Sequence, residues 1–225
     1  MHALDMLKAE EPDWTFVATE MYLNRLYLEA ARNRGYEASM RYGNFYQLVE
    51  TLTSKRIFTS ALLDTYSKED MDHLETLIDP SRDRLFTYIG LRTLSDRYLG
   101  RDHVKNLYEL PQERFMVIAM TLMQKEDETT RLKLVEEAYW ALSNLYMTVA
   151  TPTLSNAGKS YGQLSSCFID TVDDSLRGIY DSNTDVATLS KGGGGIGVYL
   201  GKIRSRGSDI KGFKGVSSGA LPWMK

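Results

Sequence analysis

Disulfide bonding within this chain is excluded at once, because one cysteine, Cys167, stands among 225 residues. Histidine is almost as scarce: His2, His73 and His103 lie far apart without ligand spacing, so a metal site built by this chain alone is not expected. No apolar run approaches the roughly 18 residues of a membrane span, and the start "MHALDMLKAEEPDW" lacks the basic-then-apolar order of a signal peptide. A cytoplasmic protein without membrane contact is therefore expected. A formal charge of −3 and a pI near 5.7 argue against a protein that coats nucleic acid with its whole surface. What is present, 43% hydrophobic and 25% charged residues, suffices for one or two packed cores.

Glycine and proline are sparse up to about residue 150, and apolar residues recur there at three- and four-residue intervals. In "TFVATEMYLNRLYLEAARNRGY" the periodic positions are Phe16, Met21, Leu23, Leu26, Tyr27 and Ala30, ahead of a stop at Gly35. Ser67 followed by Asp70 resembles a capping box, and Pro80 marks a boundary to the next helix. "RLKLVEEAYWALSNLYMTVA" repeats the pattern through Leu134, Val135, Ala138, Leu142 and Leu145, with a stop expected at Pro152.

Beyond Pro152 the composition turns to Gly, Ser, Thr and β-branched residues. "QLSSCFID" (163–170) and "GIGVYLGKI" (195–203) read as strands. The segment between them reads as a helix with Asp173 or Asp174 as its N-cap, a partly apolar face of Leu176, Ile179, Val186 and Leu189, and a stop at Gly192. Strand, helix and strand make a parallel unit whose strand ends and helix N-terminus are common ligand sites. Two strands leave edges and faces that further elements should cover, so the C-terminus reads as a cut rather than an end.

Three features of this second part have chemical potential, and on the residues alone each keeps an ordinary alternative. "KGGGGIG" (191–197) lets a ligand approach the backbone, or is a flexible turn from helix to strand; it matches neither the P-loop nor the G-x-G-x-x-G pattern. Lys202, Arg204, Arg206, Lys211 and Lys214 face only Asp209, and form a solvated basic loop, a loop that binds an anion or nucleotide phosphate, or a contact for nucleic acid. Cys167 is either a small buried hydrophobe or a redox group.

Taken in order, "ATPTLSNAG", "LSSCFI", "DDSLRGIYD", "LSKGGGGIGVYLGKIRSRGSDIKG" and "GALPWMK" closely resemble the large (α) subunit of ribonucleotide reductase. "DWTFVATEMYLNRLY", "LIDPSRDRLFTYIGLRTLSDRYL" and "YELPQERFMVIAMTLM" resemble the helical domain that precedes that family's catalytic barrel, so the likeness runs from about residue 10 to Lys225. The resemblance implies an α+β fold: a mainly helical N-terminal domain, then the first β/α units of a ten-stranded α/β barrel, incomplete in this chain. The implied divisions are a remnant of the last ATP-cone helix over 1–14, the helical domain over 15–150, and the start of the barrel over 151–225.

The resemblance further implies reduction of ribonucleoside diphosphates to deoxyribonucleotides for DNA synthesis by a radical mechanism with a redox cysteine pair. Cys167 matches one catalytic cysteine of that pair; its partner, the radical-forming cysteine and the radical-relay tyrosines are not in these residues. Thr151, Ser166 and Gly195 match substrate-binding positions. Asp174, Ser175, Leu176, Arg204 and Lys211 match the site of an allosteric effector, a deoxynucleoside triphosphate or ATP carried with Mg; relatives also have Arg where Lys211 stands, and Lys keeps the charge but loses the bidentate fork. No cofactor is expected on this chain alone. The implied partners are a small (β) subunit with a di-metal radical centre, the remaining part of the large subunit, a second large subunit in a homodimer, and thioredoxin or glutaredoxin as external reductant. The likeness favours class I over class II, and the chain reads as a split-gene product, an exon or intein-flanked segment, or a partial reading frame. A catalytically incomplete nucleotide-binding regulatory or interaction module is the alternative.

Overall fold

The computed structural model describes residues 2–6, 11–210, 212 and 215–224. They fall into two compact units, 1–149 with 153–161, and 150–152 with 162–225. In the first unit the helices are α1 (His2–Asp5), α2 (Trp14–Arg34), α3 (Phe45–Ser54), α4 (Ala61–Thr65), α5 (Lys68–Glu75), α6 (Tyr88–Arg97), α7 (Pro111–Met123) and α8 (Glu128–Ser143). A short helix, α9 (Thr151–Asn156), is divided between the units, Thr151 and Pro152 grouping with the second. The second unit holds β1 (Cys167–Thr171), α10 (Leu176–Lys191) and β2 (Gly195–Tyr199).

Helix α2 follows its sequence pattern on one side only. Leu23, Leu26, Tyr27 and Ala30 are buried, whereas Phe16 and Met21 are 45% and 61% exposed. Residue 21 lies about 200° around the axis from residue 23, so at 3.6 residues per turn the two occupy opposite faces. The helix stops as expected: Gly35 takes φ 75° and its amide donates to the Ala31 carbonyl, a left-handed exit that glycine makes without Cβ strain. Helix α5 starts as its sequence says. The Ser67 hydroxyl accepts from the Asp70 amide, and the Asp70 carboxylate accepts from the Ser67 amide at 2.9 Å.

Helix α8 ends earlier than expected. It closes at Ser143, not at Pro152, with the Leu145 amide donating to Leu142 and the Tyr146 amide to Ala141. Leu145 itself sits at φ 59°. These are the two bonds of a Schellman motif, which ends a helix without needing proline. Pro152 instead occupies the second position of α9, where the missing amide costs no helical hydrogen bond.

At the centre of the first unit is α7, in which every residue from Pro111 to Met120 is buried. Three of these are polar or charged, and each has a partner. Gln112 Nε2 donates to Asp83 Oδ1 at 2.8 Å, Glu113 pairs with Arg34 at 2.7 Å, and Arg114 pairs with Glu109 at 3.3 Å. Arg114 also donates to the Ala157 carbonyl. Burial of so many polar groups is sustained because nearly all of their hydrogen bonds are made within the protein.

In the second unit β1 and β2 pair in parallel, with Cys167 opposite Gly195, Ile169 opposite Gly197 and Thr171 opposite Tyr199. The two strands are shorter than the sequence suggested. Gln163 lies outside the ladder and its side-chain amide donates to the Gly192 carbonyl at 3.0 Å; beyond Tyr199 the chain turns, Ile203 donating back to Leu200. Helix α10 is capped by Ser175 rather than by Asp173 or Asp174: the Ser175 hydroxyl accepts from the Gly178 amide at 3.0 Å. Asp173 supports the cap from behind, its Oδ2 accepting from that hydroxyl at 3.2 Å. Gly192 ends the helix, and the left-handed turn falls one residue later, at Gly193 (φ 88°). Among the described residues no helix is long and apolar enough to cross a membrane.

Candidate functional site

Cys167 opens β1 and is exposed. Side chains alternate along a strand, so Cys167, Ile169 and Thr171 share one face, and Gly195 and Gly197 occupy the same face of β2 through the ladder register. Ser166 stands beside the thiol, its Oγ 3.6 Å from Cys167 Sγ. The Ser166 carbonyl accepts from the Gly195 amide at 2.7 Å. Ser166, Cys167 and Gly195 are thus brought together at one end of the sheet. Thr151, the fourth residue of this set, stands at the exposed start of α9.

The glycine run divides into separate tasks. Gly193 supplies the positive φ. A Cβ on Gly194 would lie 2.6 Å from the Phe168 ring, so packing demands glycine there. At Gly195 and Gly197 neither reason holds: the nearest atoms to an added Cβ are backbone oxygens at 3.5 and 3.9 Å, ordinary contact distances, and φ is not positive. Their effect is to leave the strand surface beside Cys167 bare, so that a ligand can lie against the backbone.

A groove of about 410 Å³ lies at the N-terminus of α10. Asp174, Ser175, Leu176 and Arg204, four of the five residues expected to bind an effector, line it together. The fifth, Lys211, is outside the described residues. The remainder of the wall is largely apolar: Ile179, expected on the apolar face of α10, is joined by Ile203, Ile210, Val216, Pro222 and Trp223, which the sequence did not mark as site residues. The Trp223 ring meets Tyr180 edge-on at 6.2 Å. The signal available for Trp223 was an aromatic in the terminal "GALPWMK", distant in sequence from the helix that it reaches.

Asp174 and Arg204 form the charged pair of this groove. Arg204 Nε donates to Asp174 Oδ2 at 2.7 Å, the Arg204 amide donates to Oδ1 at 3.1 Å, and a second guanidinium nitrogen donates to the Asp209 carbonyl at 3.1 Å. The Arg204 amide, and then its guanidinium, hold the Asp174 carboxyl below the usual range. The start of α10 adds free amides and the positive end of a sixteen-residue helix. An aromatic or apolar body with an attached anion fits this wall. Among the described residues no group of three or more His, Cys, Asp or Glu side chains is placed to hold a metal ion.

A helical unit followed by a parallel strand, helix and strand is the order in which two family models match the chain. Residues 84–162 match "Ribonucleotide reductase, all-alpha domain" and residues 165–225 match "Ribonucleotide reductase, barrel domain". The chain belongs to the ribonucleotide reductase large-subunit family. It is similar to proteins named ribonucleoside-diphosphate reductase subunit alpha: 39% identical to that of Treponema pallidum, 40% to that of Helicobacter pylori and 34% to that of Synechocystis, in each case over 99% of this chain. It spans 26%, 27% and 28% of those relatives.

Proposed function

We propose that this chain supplies the helical N-terminal domain (15–150) and the start of the catalytic barrel (151–225) of a cytoplasmic ribonucleotide reductase large subunit. Its relatives carry the name ribonucleoside-diphosphate reductase, and the reaction assigned is reduction of ribonucleoside diphosphates to deoxyribonucleotides. The observation that carries this reading is the grouping of Ser166, Cys167 and Gly195 on a bare strand face.

Replacing a ribose 2′-hydroxyl by hydrogen releases that oxygen as water and takes up two electrons and two protons. Two thiols can supply both as they join in a disulfide. Cys167 is assigned as one of the two. With one cysteine in 225 residues, the second sulfur has to come from elsewhere, within the few ångströms that a disulfide spans. Thr151 and Ser166 are assigned to hold substrate oxygens through their hydroxyls. The groove at α10 is assigned to a deoxynucleoside triphosphate or ATP carried with Mg, with Arg204 and Lys211 meeting the phosphates. A di-metal centre in a partner small subunit would supply the radical that activates the sugar, and thioredoxin or glutaredoxin would restore the dithiol. The rest of the large subunit and a second large subunit complete the assembly, of class I type.

The test is reconstitution. Mixed with the remainder of a large subunit and a small subunit, the chain is expected to support diphosphate reduction, and Cys167→Ser to abolish it while leaving effector binding intact. Activity retained by Cys167→Ser would overturn the assignment. A second reading, a nucleotide-binding regulatory module without turnover, is favoured by the groove being lined wholly from within the second unit. Effector binding without reductase activity in any mixture would select it.

A further inference from the structure

We infer that Asp174 is an internal competitor for the anion in the α10 groove, so that a polyphosphate binds by displacing the Asp174 carboxylate from Arg204. The inference rests on the reading of the groove as a nucleoside triphosphate site. Among the described residues that line the groove, Arg204 is the one cation and Asp174 the one anion, and the two are paired at 2.7 Å. The carboxylate grips at two points, taking the Arg204 amide with one oxygen and Nε with the other, while the Asp209 carbonyl occupies a further guanidinium nitrogen. Three of the donors that a phosphate would use are therefore engaged.

A phosphate arriving at Arg204 meets a carboxylate within hydrogen-bond distance of the same guanidinium. Two anions on one cation repel, so either Asp174 withdraws or both share Arg204 at reduced affinity. The side chains of Arg204 and Asp174 are 36% and 32% exposed, which leaves the carboxylate room to swing into solvent. The apolar wall from Leu176 to Trp223 is unaffected by this exchange. A ligand with an aromatic body recovers through burial what it loses to Asp174, whereas a bare anion has no such compensation. Asp174 thus keeps free phosphates off Arg204 until a ligand that also fills the groove arrives.

The probe that isolates this effect is inorganic tripolyphosphate, titrated calorimetrically against the full chain. Asp174→Asn is expected to bind it on the order of fivefold more tightly than the unsubstituted chain, the range spanned by a partly exposed ion pair. Asp174→Ala provides a second neutral variant with the same expectation, and Arg204→Ala is expected to lose the probe. Equal or weaker binding in both neutral variants, still dependent on Arg204, would overturn the exchange and leave Asp174 as a positioning residue. If neither tripolyphosphate nor a deoxynucleoside triphosphate binds any variant in an Arg204-dependent way, the reading of the groove falls, and this inference with it.

Discussion

The Tyr27 hydroxyl donates to Asp83 Oδ2 at 2.6 Å across 56 positions of sequence, and ties α2 to the turn that precedes α6. Tyr42 donates to the same oxygen at 2.7 Å and Gln112 to the other at 2.8 Å, and no part of Asp83 reaches solvent. Burial pushes the Asp83 carboxyl up to about 6, against the pull of its three donors and the charge of Arg41. Burial holds both tyrosines well above their ordinary value, so they stay protonated as donors. A carboxyl whose folded value exceeds its unfolded value near 4 binds protons more tightly when folded. Its contribution is fully present below about pH 4 and is lost as pH rises to about 6. Urea unfolding is expected to show about 3 kcal/mol less stability from this group above pH 6 than below pH 4. Asp83→Asn should flatten that part of the profile, and parallel profiles for the two chains would contradict the assignment. Glu113, pushed by burial to about 7 despite Arg34, has the same sign and continues the decline toward neutral pH.

Arg114 and Glu109 make the second buried polar joint. Neither side chain is exposed, and Glu109 also accepts from the Gly100 amide at 2.6 Å. Removing the cation alone leaves a buried carboxylate with a single amide donor, together with an unpaired carbonyl at Ala157. Arg114→Met is expected to cost about 3–5 kcal/mol in the chemical unfolding of the helical unit. The exposed pair Arg84–Glu20 provides the contrast: Arg84→Met should change stability by less than about 1 kcal/mol.

These two joints mark what the sequence conceals. The α2 stop at Gly35 and the Ser67–Asp70 box rest on local chemistry, a left-handed φ and two reciprocal hydrogen bonds, and so were readable in place. From Pro111 to Met120 helix α7 is buried all round, which erases the 3.6-residue alternation by which a helix is recognised, and its charged residues read as surface until their distant partners are known. Phe16 and Met21 mislead for the opposite reason: apolar residues on α2 exceed what its buried face accommodates. Around the candidate site, Cys167, Ser166 and Gly195 were legible through an extended family resemblance, and the Ser175 cap was misplaced by one or two residues because Asp173, Asp174 and Ser175 are all good caps. Part of the apolar wall of the groove, Val216, Pro222 and Trp223, comes from a stretch whose folding back no local signal announces.

The Ser175 cap ties local stability to the groove. Its hydroxyl satisfies the Gly178 amide, and a Cβ at Gly178 would lie 2.7 Å from that of Asp173, so this turn is tight. Ser175→Ala is expected to destabilise the second unit by about 1 kcal/mol, read as a lower thermal midpoint. It should also weaken deoxynucleoside triphosphate binding, because the frayed helix start no longer aims its amides. A lowered midpoint with unchanged nucleotide affinity would place the ligand away from the α10 N-terminus.

Gly193, Gly194 and Gly195 are adjacent, yet alanine should do something different at each. At Gly193 the left-handed φ of 88° penalises any Cβ, and Gly193→Ala is expected to cost about 1–2 kcal/mol. At Gly194 the new methyl would drive into the Phe168 ring at 2.6 Å, so the ring or the strand has to move, for a loss of about 1–3 kcal/mol. At Gly195 the fold has room, the nearest atom being the Ser166 carbonyl oxygen at 3.5 Å, and stability should stay within about 0.5 kcal/mol. The Gly195 methyl would instead project on the Cys167 side of the sheet, into the space assigned to substrate. Thermal unfolding of the three variants should therefore rank Gly195→Ala nearest the unsubstituted chain. In the reconstituted reductase that same variant should lose substrate affinity, with the Cys167 thiol remaining open to alkylation. Full activity in Gly195→Ala would mean that the bare strand face beside Cys167 is not where the substrate lies.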